Sequence, residues 1–167
     1  MADAPNPKLP PRWIAVDIGE STGWAFLEDN RLVDSGTTEL WEFVHSVGDA
    51  ATMNAAEHSG GTADLERRLW GWDTLVVEDW ALDPEKCKAL AWDTQDTVRG
   101  LGVLQYIAER AEREFVLQPR TIKGGAKSAG AEDLFVRPLH ENRHRNDAVM
   151  HAVYFAGVRG KGLVAAE

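Results

Sequence analysis

A chain of 167 residues, 44 % hydrophobic and 27 % charged, is long enough for one domain with a buried core and short for two. No apolar run reaches the roughly 18 residues that span a bilayer. The proline-rich start, MADAPNPKLPPR, lacks the apolar stretch of a secretory signal, and the single cysteine, Cys87, excludes an intramolecular disulfide. These features point to an intracellular protein with no membrane partner. The net charge of −9, taken alone, argues against nucleic acid as a ligand.

In chain order, residues 1–11 read as a flexible tail, 12–159 as one α/β domain and 160–167 as a second flexible tail. RWIAVDIG (12–19) is an apolar run ended by Asp-x-Gly, as expected of a buried strand meeting a turn. TGWAFLEDNRLVDSGTTEL then reads as two strands joined at Asp29-Asn30. Residues 39–58 place Leu40, Phe43, Val44, Val47 and Ala51 at helical spacing, and Gly60-Gly61 ends the pattern. ADLERRLWGW suggests a further helical turn or two, and DTLVVEDWAL (73–82) a short central strand. Residues 84–113 look helical with a break near Gly100 and Gly102, EFVLQP is a fifth strand stopped by Pro119, and RTIKGGAKSAG reads as a loop. A short helix at 131–136 and a last helix within ENRHRNDAVMHAVYFAG complete the chain. The order β-β-β-α-β-α-β-α implies a mixed five-stranded sheet flanked by helices.

Three segments place acids at the ends of these elements. Asp17 follows Ile14, Ala15 and Val16; Glu78 follows Leu75, Val76 and Val77 and shares a strand face with Val76 and Trp80. His144 and Asp147, three residues apart, can serve one ion from a helix. Two of the three have a plainer explanation: a turn former for Asp17, and an Asn146 N-cap with Asp147 in the first turn for the last helix. Together they are more specific, because clustered carboxylates repel unless a cation compensates them. Oxygen ligands favour Mg²⁺, with Mn²⁺ as a substitute that tolerates histidine. His140, His144 and His151 without accompanying cysteines do not form a zinc pattern, and Cys87 reads as an ordinary thiol. Most of the seven tryptophans read as core.

Charge is unevenly spread. Residues 119–161 carry eight Lys/Arg against four Asp/Glu, a local balance of +4 that leaves −13 for the rest. This leaves open either a positive face or ordinary fluctuation.

In order, AVDIGESTGWAF, VVEDWAL, TQDTVRGLGVLQYIAER, VLQPRTIKGGAK and HRNDAVMHAVYFA resemble the RuvC-type Holliday-junction resolvases of the RNase H-like superfamily, including phage-type members. The resemblance spans about residues 13–156. It implies an RNase H-like fold, a metal site of Asp17, Glu78, His144 and Asp147, and two Mg²⁺ ions bridged by Asp17. The implied activity is endonucleolytic resolution of four-way DNA junctions in recombination and repair, by a homodimer that makes paired nicks. Arg120, Lys123, Lys127, Arg143 and Arg145 are the implied phosphate contacts and Trp80 the implied aromatic contact to DNA. Alternatives are a broader branched-DNA or RNA-processing nuclease of the same fold, or a non-catalytic nucleic-acid-binding relative. DIGESTG also resembles the phosphate loop of the sugar-kinase and actin superfamily, which needs two such domains around its nucleotide.

Overall fold

The first apolar run becomes the middle of a sheet. In a computed structural model that describes residues 12–52, 65–79 and 92–158, β1 (Arg12–Asp17) is buried from Trp13 onward. It pairs antiparallel with β2 (Ser21–Glu28) and parallel with β4 (Thr74–Asp79). A two-residue turn with positive φ at both Asp29 and Asn30 joins β2 to β3 (Arg31–Glu39). That backbone matches the right-handed twist of a hairpin, and Asn and Asp tolerate it better than most residues. β5 (Glu114–Pro119) pairs parallel with β4, giving the order β3-β2-β1-β4-β5.

The two faces of the sheet follow the two-residue alternation of strands. Ile14, Val16, Trp24, Phe26, Leu75 and Val77 face α1 (Leu40–Thr52) and α3 (Trp92–Arg110); the single turn α2 (Leu65–Arg68) adds Leu65. Trp13, Ala15, Ala25, Leu27 and Val76 face α5 (Arg143–Val158) and the short α4 (Lys123–Ser128). Asp17 continues the parity of Trp13 and Ala15, and Glu78 that of Val76. Both acids therefore belong to the α5 face, at neighbouring strand ends.

Three expectations are corrected. α3 runs unbroken through Gly100 and Gly102. Gly100 is there for packing, since a Cβ on it would come within 2.8 Å of Leu40 Cδ1. The segment expected as a glycine- and lysine-rich loop is a 3₁₀ turn (Arg120–Ile122) running into α4, with Ile122 and Ala126 buried beneath α5. Burial of those two side chains overrides the loop-like composition around them. Finally, α5 begins at Arg143, so Asn146 is not its N-cap. Asn146 instead accepts the Val136 N–H at 2.9 Å and donates to the Val136 carbonyl at 3.1 Å, fastening the preceding loop.

The short helix expected at 131–136 is a 3₁₀ turn, Ala131–Leu134. Trp13, Trp24 and Trp72 are core, as expected. Trp80, Cys87, Gly60-Gly61, the start of the helix at 84–91, the tail segments 1–11 and 160–167 and residue 159 lie outside the described residues. Among the described residues, no helix is long and apolar enough to cross a membrane.

Candidate metal centre

The site exists because one helix comes unusually close to one strand. Gly23 on β2 is the register partner of Asp17. A Cβ on Gly23 would lie 1.9 Å from the His144 carbonyl oxygen and 2.7 Å from the Arg145 nitrogen. Only a residue without a side chain lets the first turn of α5 rest on the backbone there. That contact sets His144 over the end of β1, with Asp147 one turn further along the same helical face.

Asp17, Glu78, His144 and Asp147 all line one open pocket of about 440 Å³. His144 Nδ1 is 2.7 Å from Asp17 Oδ2. Asp17 and Glu78 each bring a carboxyl oxygen within 4.8 Å of the other. Asp147 faces a different partner: the Lys123 ammonium donates to its Oδ2 at 2.6 Å. The same ammonium lies 3.4 Å from Glu78 Oε2 and 3.9 Å from Asp17 Oδ1, so one cation stands among three carboxylates. Arg120 Nε donates to Glu78 Oε1, and His151 Nε2 lies 3.0 Å from Glu78 Oε2.

These contacts divide the acids by charge state. Burial, then the hydrogen bond to Glu78 and its negative charge, pushes the Asp17 carboxyl up to about 8. Burial also acts to raise Glu78. There it is outweighed by hydrogen bonds from His151 and Asp17, by the Lys123 charge and by the Arg120 hydrogen bond, and the carboxyl is held well below its ordinary range. The pair thus keeps one proton, carried by Asp17, as adjacent carboxyls do when no other cation suffices. Burial works against the Lys123 charge, but the Asp147 hydrogen bond and the surrounding carboxylates hold the ammonium above its ordinary range. Burial, followed by the Arg143 charge, lowers His144 and favours the neutral ring.

The cluster therefore draws in positive charge from every available source: a proton, an ammonium and a guanidinium. Such a buried set of hard oxygen donors can hold a metal ion. Asp17, Glu78 and His151 each offer a ligand atom within 4.8 Å of the others. In the sequence alone, His151 belongs to a histidine set that is not a zinc pattern and to the apolar remainder of the last helix. Its signal is positional: it lies four residues after Asp147 and seven after His144, on the same helical stripe.

The expected phosphate contacts are dispersed. Arg120, Lys123 and Arg143 line the pocket. Lys127 faces Glu132 at 3.5 Å, and Arg145 donates to the Ser35 hydroxyl at 2.8 Å, toward β3.

No protein-family model and no curated protein matches the sequence. Solved structures do resemble it. RuvC of Thermus thermophilus in complex with Holliday junction substrate is 14 % identical with a TM-score of 0.53, over 92 % of this chain and 99 % of that one. A second Thermus thermophilus RuvC structure is 15 % identical with a TM-score of 0.46, over 91 % and 98 %. The mixed five-stranded sheet with flanking helices is a RuvC-like, RNase H-type fold.

Proposed function

We propose that this chain is a metal-dependent endonuclease that resolves four-way DNA junctions, acting as a homodimer with two Mg²⁺ ions per site. The observation that carries the reading is the convergence of Asp17, Glu78 and Asp147, from three separate elements, on one pocket that also holds Arg120, Lys123 and Arg143. The likeness in fold to a resolvase whose structure contains a Holliday junction supports the choice of substrate.

Asp17, Glu78 and Asp147 would hold the ions, with His144 beside Asp17 as a further donor. Divalent ions, when bound, would polarise the scissile phosphodiester and activate the attacking water. The chain's own groups have separable tasks. Asp17 must give up its proton before all its oxygens can serve a cation. His144, neutral and 2.7 Å from Asp17, can take a proton at Nδ1. Lys123 and Arg120 neutralise the acids while no phosphate is present and can turn the same N–H groups toward a phosphate. Arg143, exposed at the pocket rim, can anchor the backbone outside it.

A direct test offers the purified protein a four-way junction, a flap, a linear duplex and RNA side by side with Mg²⁺. Preferential cutting of the junction, in symmetric pairs, is the expected result. Preferential cutting of flaps or RNA would replace the substrate and leave the metal chemistry standing. Metal-independent cutting would remove the metal chemistry, and no cutting of any of the four would remove the nuclease reading.

A further inference from the structure

Behind the pocket a line of three buried polar side chains runs between sheet and helix. Glu78 on β4 and Gln118 on β5 are register partners of parallel strands, so both project toward α5. His151 on α5 reaches down between them. Its Nδ1 is hydrogen-bonded to Gln118 Oε1 at 2.9 Å and its Nε2 to Glu78 Oε2 at 3.0 Å. Gln118, His151 and Glu78 are 5 %, 0 % and 1 % exposed.

We propose that His151, backed by Gln118, is a positioning residue that fixes the Glu78 carboxylate for the metal and is not itself a ligand. Two observations separate the roles. His151 does not line the pocket that Asp17, Glu78, His144 and Asp147 share. Both of its ring nitrogens are already engaged, so ligation through Nε2 would break the hydrogen bond to Glu78 and leave a fully buried carboxylate oxygen one partner short. A donor at this place instead sets the rotation of the carboxylate, as groups behind a metal ligand do, where their loss costs about 10–100-fold in metal affinity. The glutamine then does for the histidine what the histidine does for the acid: it fixes the plane of the ring.

This role rests on the metal-dependent reading of the site. The test is Mn²⁺ binding, measured by titration calorimetry on the full chain without DNA, for wild type, His151→Gln, His151→Leu and Gln118→Leu. Glutamine keeps an N–H directed at Glu78 but is a poor substitute for an imidazole ligand; leucine keeps volume alone. Mn²⁺ affinity is expected to fall at least about 10-fold in His151→Leu, to stay close to wild type in His151→Gln, and to fall by a smaller factor in Gln118→Leu. Should His151→Leu fail to fold, the loss in Gln118→Leu, which removes the hydrogen bond to His151 and leaves the His151 contact to Glu78 in place, decides the matter. Wild-type affinity in both leucine variants would overturn the role, as would a loss in His151→Gln equal to that in His151→Leu, which would make the ring a ligand. A wild-type chain that binds no Mn²⁺ would overturn the metal reading and this role with it.

Discussion

Asp17 and a divalent cation compete on unequal terms that pH controls. The Asp17 carboxyl sits at about 8 in the folded chain against an ordinary 3.8. Between those values the folded state keeps a proton that the unfolded chain has lost, so the metal-free protein loses stability as pH rises through that window. Glu78 has the opposite sign. Held below its ordinary range, it adds stability above the ordinary carboxylate pKa that is lost as pH falls. Thermal melts of the metal-free protein are expected to show a lower midpoint at pH 8.5 than at pH 6, with a flatter dependence in Asp17→Asn. Mn²⁺ should narrow that difference, and its affinity should rise with pH through about 8 as Asp17 yields its proton. An affinity unchanged across that range would contradict the assignment of the proton to Asp17. At this scale Asp17 and Glu78 were legible because an acid closing a run of apolar strand residues is conspicuous. His151 was not, because a histidine inside an apolar helix fits a core as well as a site until Glu78 and Gln118 are known to lie beneath it.

The element that decides the site is the contact between α5 and β2. Gly23→Ala would force a methyl into the His144 carbonyl, and backbone on both sides leaves little that can yield. Overpacking of this kind costs roughly 1–3 kcal/mol, which lowers the midpoint by several degrees in a chain of this size. The expected signature is a loss of Mn²⁺ affinity larger than the loss of stability explains, since lifting α5 carries His144 and Asp147 away from Asp17 together. A Gly23→Ala protein with wild-type stability and metal affinity would show that the close approach is dispensable. The strands were readable from short apolar runs bounded by turn residues and from the Asp29-Asn30 turn, whereas their order in the sheet came with the structure. The helix in KGGAKS was not readable, because two glycines and two lysines in six residues carry a loop's composition while the burial that stabilises them depends on α5. The uninterrupted α3 was missed for a related reason: Gly100 answers to Leu40 on another helix, which local sequence cannot reveal.

For the whole molecule, the charge imbalance becomes interpretable once residues are placed. A chain of net charge −9 needs cations placed where DNA would meet it, and Arg120, Lys123 and Arg143 line the same pocket as Asp17, Glu20, Glu78 and Asp147. Binding to a four-way junction should therefore weaken steeply with salt. Arg143→Ala, which leaves the acids untouched, should lower affinity and reduce the dependence on log salt by about one. The same loss at Lys127, paired with Glu132, should be smaller. The measurement that bears most directly on the central claim is cleavage of a four-way junction in Mg²⁺ by wild type, Glu78→Gln and Asp147→Asn, with junction binding followed in parallel. Wild type should make paired nicks that vanish when the metal is chelated. Both variants should bind the junction and fail to cut it. Cutting by Asp147→Asn at the wild-type rate would contradict that claim.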